Sequence, residues 1–155
     1  MTPKRLEACA RMKRNLMAGE ERRRKLVETE PAPFDIIGGA ETVDALVERF
    51  YAEMDSAPQA QGVRAMHGEN LGPIKFVLKR YLGEWLGGPK LYSQSRGHPR
   101  LRMRHLPFAI GDAERDSWLA CMRRALDACV ADPAARDGIY KAMADLADHM
   151  RNQPR

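Results

Sequence analysis

Between residues 43 and 54, Val43, Leu46, Val47, Phe50, Tyr51 and Met54 fall at i, i+3, i+4, i+7, i+8 and i+11, which is one face of an α-helix. The spacing returns in Ile74, Val77, Leu78, Tyr81, Leu82 and Trp85. It returns again in Trp118, Met122, Ala125 and Cys129, with Leu119 and Leu126 beside them, and finally in Ile139, Met143, Leu146, Ala147 and Met150. No stretch alternates apolar and polar residues as a half-buried strand does, so the fold class is all-α. A length of 155 residues with 44% apolar content provides for one core and leaves no room for a second full domain.

Glycine and proline punctuate these segments. Gly38-Gly39 precedes the first stripe, where the chain can turn through backbone angles closed to other residues, and a short helical turn is expected around Asp35–Ile37. Residues 54–71 lose the periodicity and read as a loop with one helical turn. Pro73 suits the first position of the second stripe, and Gly87-Gly88-Pro89 ends it. A turn-rich passage follows from Lys90 to about Arg100, then a short basic helix Leu101–His105 that Pro107 stops. Asp112 is expected to cap the third stripe, and Asp132-Pro133 is a cap followed by proline for the fourth. There is no internal repeat and no low-complexity tract.

The net charge of +5 is unevenly placed. Residues 1–33 hold nine Lys/Arg against five Asp/Glu, while the other 122 residues hold 17 against 16. The basic character therefore belongs to a leading arm containing Arg22-Arg23-Arg24-Lys25, set off by Pro31-Ala-Pro33. The domain division is thus 1–33, a basic extension that is partly helical or disordered, and 34–155, the folded domain. Three cysteines without a Cys-x-x-Cys pair argue against a disulfide framework or a cysteine zinc site, and a reducing cytoplasm is the simplest setting. No apolar run of signal-peptide or membrane-span length is present, so neither an export signal nor a membrane partner is expected. Phosphate-loop, Gly-x-Ser-x-Gly, His-Glu-x-x-His and calcium-loop patterns are also absent.

Of the histidines His67, His98, His105 and His149, a lone one is more often a hydrogen-bonded surface or core residue than a ligand. His98 sits in a Gly-Pro turn. His105 differs: it ends a short helix, is followed by Leu106-Pro107-Phe108, and has apolar neighbours, a setting that suits an axial metal ligand facing a flat apolar pocket.

The run Gly97-His98-Pro99-Arg100-Leu101-Arg102-Met103-Arg104-His105-Leu106-Pro107-Phe108, together with Gly87-Gly88-Pro89, Tyr92, Glu114-Arg115-Asp116, Trp118-Leu119 and Cys121-Met122, resembles the group II truncated haemoglobins. Gly38-Gly39 and Phe50-Tyr51 fit the same pattern, and the resemblance spans roughly residues 34–150. It implies a truncated globin, a two-over-two α-helical sandwich with a basic N-terminal extension, holding one haem b (iron protoporphyrin IX). By matching positions it implies His105 as the proximal iron ligand, Tyr51 and Trp118 as distal donors, and His67 at the corner between two helices. Ile74 and Leu78 would form the distal wall, Arg104 would meet a haem propionate, and Phe108 would be among the cofactor-binding residues. Without the resemblance, Tyr51 and Trp118 would be read as core aromatics on apolar stripes, Arg104 as a solvent-facing charge, and Cys121 and Cys129 as small apolar packing residues.

The implied partners are dioxygen and other diatomic gases such as carbon monoxide and nitric oxide. Phenol, indole and imidazole N–H or O–H groups strengthen as donors in a dry pocket when dioxygen takes up negative charge from iron. Two such donors slow release by roughly a hundredfold on the ordinary scale for hydrogen bonds to charge. A fast oxygen-transport role is poorly served by that, whereas sequestration, sensing or redox chemistry fits. The enzyme alternative is nitric oxide dioxygenation or peroxidase-like oxidation with a reductase as electron donor. A nucleic-acid-binding module driven by residues 1–33 ranks last.

Overall fold

The computed structural model describes the backbone of residues 3–154 and the side chains of Glu7, residues 11–25 and residues 30–154. The side chain of Cys9 lies outside the described residues. The chain divides into two compact units, Met1–Pro31 and Ala32–Arg155. The first carries one helix, α1 (Pro3–Thr29), along which the side chains of residues 11–25 are all exposed. No helix among the described residues is long and apolar enough to cross a membrane.

The second unit runs α2 (Pro33–Ile36), α3 (Gly39–Ser56), a 3-10 turn (Pro58–Ala60), α4 (Gln61–Ala65), α5 (Gly72–Trp85), α6 (Leu91–Arg96), α7 (Leu101–His105), α8 (Asp112–Cys129) and α9 (Pro133–Met150). Helix α3 packs on α5, α8 packs on α9, and the largest interface joins α3 to α8. The four apolar stripes thus form two helix pairs laid one over the other. Leu46, Phe50 and Met54 of α3 are fully buried, as are Met122 and Leu126 of α8 and Met143 of α9. Burying each such side chain stabilises the fold by about 1.5–3 kcal/mol relative to exposure.

Gly38 makes the turn into α3 at φ 108°, a left-handed conformation that side chains rarely adopt. Gly88 serves close approach instead: a Cβ there would lie 2.7 Å from the Gly83 carbonyl oxygen and 2.7 Å from the Phe34 ring. The end of α5 can therefore meet α2, and the Phe34 N–H donates to the Leu86 carbonyl at 2.9 Å. At α9, Asp132 caps as expected, accepting from the N–H groups of Ala134 and Ala135.

Three local expectations change. Residues 54–71 hold more helix than one turn, because α3 continues to Ser56 and is followed by the 3-10 turn and α4, with Ala60 and Val63 buried. The passage 90–100 contains α6, a helix too short to show a stripe. It is anchored by buried Tyr92, whose ring meets Tyr81 at 5.6 Å, and by the Glu84 carboxylate accepting from the Ser93 N–H at 2.8 Å. The cap of α8 is Gly111 rather than Asp112: Glu114 reaches back to accept from the Gly111 N–H at 2.9 Å, leaving Asp112 inside the first turn.

Candidate functional site

The interface of α3 with α8 brings two of the singled-out aromatics together through a third. Phe50 lies edge-on to Tyr51 at 4.9 Å between ring centroids and edge-on to Trp118 at 5.1 Å. Such pairs contribute about 0.5–1.5 kcal/mol beyond the area they bury, and they hold both polar rings in fixed orientations. Tyr51 is buried, and burial pushes its phenol well above the ordinary range, so the hydroxyl stays protonated and keeps its donor. Neither the Tyr51 hydroxyl nor the Trp118 indole N–H has a hydrogen-bond partner among the described residues.

His67 follows α4, at the corner before α5, and its ring meets Tyr51 edge-on at 5.7 Å. Its Nδ1 lies 3.0 Å from the Val63 carbonyl oxygen. A carbonyl only accepts, so Nδ1 carries the proton, and the neutral ring presents Nε2 as an acceptor. On α5, Leu78 is half-buried against the core, whereas Ile74 remains 39% exposed.

His105 belongs to a different part of the domain, at the end of α7, and no hydrogen bond or ring contact joins it to Tyr51, His67 or Trp118 among the described residues. Its local geometry is tight. Nδ1 donates to the Leu101 carbonyl one helical turn back at 2.6 Å, which fixes the tautomer and leaves the Nε2 lone pair available. Arg100 enters the helix at φ 47°, with its N–H donating to His98 Nδ1 at 3.1 Å. That contact explains His98 as a turn residue. Exposed Arg104 uses Nε on the Pro99 carbonyl at 2.9 Å, leaving its terminal guanidinium nitrogens free of that bond. Phe108, just beyond, is 41% exposed.

No group of three or more His, Cys, Asp or Glu side chains able to hold a metal occurs among the described residues. A metal taken by the free Nε2 of His105 therefore has to bring most of its ligands with it, as iron in a porphyrin does. The open apolar faces of Ile74 and Phe108 suit the same kind of group. The donor set thus fits a haem: one imidazole lone pair, two unengaged aromatic donors, and apolar surface.

Sequence reasoning missed one contributor, Asn152, which bonds to the backbone of the His105 segment and lies beyond the last stripe, where no periodic signal points to it.

A family profile described as bacterial-like globin matches residues 32–152. The chain is 36% identical over 122 residues to the group 2 truncated hemoglobin YjbI of Bacillus subtilis (strain 168), covering 79% of this chain and 89% of that protein. Among solved structures it resembles the group II 2-on-2 hemoglobin of Agrobacterium tumefaciens at 42% identity and a TM-score of 0.79, covering 81% of this chain and 98% of the other. It is also similar to the cold-adapted truncated hemoglobin of Pseudoalteromonas haloplanktis TAC125, at 40% identity and a TM-score of 0.78 over 80% of this chain and all of that one. Helix pairs and relatives agree: the chain belongs to the bacterial-like globins and, among them, to the group II truncated haemoglobins, a family of haem proteins that bind diatomic gases.

Proposed function

We propose that this globin holds haem b with His105 Nε2 on the iron and uses Tyr51 and Trp118 as hydrogen-bond donors to a bound diatomic molecule, dioxygen first and carbon monoxide or nitric oxide as well. The observation that carries the reading is the His105 Nδ1 bond to the Leu101 carbonyl, which presents the opposite ring nitrogen as a lone pair. When bound, haem supplies an iron with one coordination position for the protein and one for the gas, and it shifts negative charge toward a bound dioxygen. The chain supplies the rest. Tyr51 and Trp118 are rigid donors held by Phe50, and His67 steadies Tyr51 and, while neutral, accepts at its Nε2. Ile74 and Leu78 supply an apolar wall, Phe108 an apolar contact on the His105 side, and Arg104 a guanidinium for a propionate. The setting proposed is the reducing cytoplasm, where cysteines such as Cys121 and Cys129 stay thiols.

Two donors aimed at one charged ligand favour retention over fast unloading, so sequestration, sensing or oxidative chemistry fits better than transport. Nitric oxide dioxygenation or peroxidase-like oxidation, fed by a reductase, is the second reading and uses the same donors. The deciding experiment supplies reduced, haem-loaded protein with nitric oxide and a reductase in air and follows nitrate, with peroxide-dependent dye oxidation alongside. A stable gas complex without turnover supports binding alone; catalytic nitrate or dye oxidation supports the enzyme.

A further inference from the structure

Helix α7 has an unusual problem of support. It is five residues long, none of them buried, and it lies between a left-handed Arg100 and Pro107. A helix this short has almost no stability of its own, and its last carbonyls lack partners within the helix. Its support comes from the segment that follows α9. Asn152 Nδ2 donates to the Phe108 carbonyl at 2.7 Å and to the His105 carbonyl at 3.2 Å. Its Oδ1 accepts from the Ile110 N–H at 2.9 Å and from Gln153 Nε2 at 3.1 Å. The Asn152 backbone N–H returns a bond to the Ile110 carbonyl at 2.9 Å. One amide thus uses both donors and both acceptor positions, three of the four on the backbone of residues 105–110. Arg102 adds a second tie, donating to the His149 carbonyl at 2.6 Å.

We infer that Asn152 is a positioning residue for His105: it fixes the carbonyl of that residue and the turn beyond it, so that the imidazole is held by a hydrogen-bonded strap rather than by burial in the core. Only a short side chain with donors and an acceptor does this. Aspartate has the same shape but sets a carboxylate against two carbonyl oxygens, and alanine leaves the carbonyls to water. The inference rests on the reading of His105 as the iron ligand, but its mechanical part stands on the strap alone.

The test uses the full chain as Asn152→Ala and Asn152→Asp. Asp112→Asn is the control, because it weakens the nearby Arg151–Asp112 ion pair without touching α7. In ferrous haem-loaded protein, both Asn152 variants are expected to shift or broaden the iron–histidine stretching band in resonance Raman spectra and to speed haem loss to a scavenger about tenfold. Amide hydrogen exchange of residues 101–110 rises by about the same factor while that of α8 stays unchanged. The control leaves all three readouts near the parent. Unchanged exchange and haem loss in both Asn152 variants, or equal changes in the control, would overturn the inference. If the parent band survives His105→Ala, the ligand reading fails, and the exchange of residues 101–110 still decides the strap.

Discussion

Tyr51 carries more of the proposed chemistry than any other residue on the distal side, because it combines burial, a protonated hydroxyl without a protein partner, and rings on two sides that prevent it from turning away. Tyr51→Phe and Trp118→Phe each remove one donor while keeping a ring. Each is expected to raise the dioxygen dissociation rate of the haem-loaded protein about tenfold to a hundredfold, read by stopped-flow displacement with carbon monoxide. Unchanged rates in both would refute the donor assignment. The raised Tyr51 phenol also makes a stability prediction. A group that binds its proton more tightly when folded contributes fully below its ordinary pKa and loses that contribution as pH climbs above about 10. Denaturant midpoints of the parent should therefore fall more steeply between pH 10 and 11.5 than those of Tyr51→Phe. His67 shows the limit of reading roles by residue type: imidazole was a legitimate donor in the sequence, but Val63 decides which nitrogen holds the proton, and that bond depends on the turn of α4.

At the scale of elements, the long helices of residues 32–155 were legible and most of the short ones were not, for a physical reason. A stripe needs about two turns to declare a period, so α3, α5, α8 and α9 announced themselves, while α6 depends on one buried tyrosine and a carboxylate borrowed from α5. Two short helices are exceptions: the turn expected around Asp35–Ile37 overlaps α2, and α7, stopped in the sequence by Pro107, runs from Leu101 to His105 as expected. The cap at Gly111 escaped because the capping side chain stands three residues later, in Glu114. Element ends also carry the tightest steric constraints. Gly88→Ala places a methyl group against a backbone oxygen and the Phe34 ring, neither of which can yield easily. It should lower stability by about 1–3 kcal/mol in urea unfolding, through displacement of α2 from the end of α5. A similar midpoint to the parent would mean that this junction yields more readily than its contacts imply.

For the whole molecule, two helix pairs create the core, and the groups proposed to meet haem are spread around it: Tyr51 on α3, His67 after α4, Ile74 and Leu78 on α5, His105 on α7, Trp118 on α8. No single segment of sequence contains the site, which is why periodicity alone reads Tyr51 and Trp118 as core aromatics and why family resemblance was needed to assign roles. Residues such as Asn152 stay invisible to both, since their contribution is a set of backbone bonds to a segment more than 40 positions away. Everything proposed for this site depends on haem iron being held through His105. Its most direct test is the absorption spectrum of haem-reconstituted protein, ferric, reduced and then exposed to carbon monoxide, beside His105→Ala with and without added imidazole. Ligation through His105 requires stoichiometric haem uptake, a Soret band that shifts with carbon monoxide, an altered spectrum in the variant, and recovery with imidazole. Absence of stoichiometric uptake, or a variant spectrum identical to the parent, would contradict it.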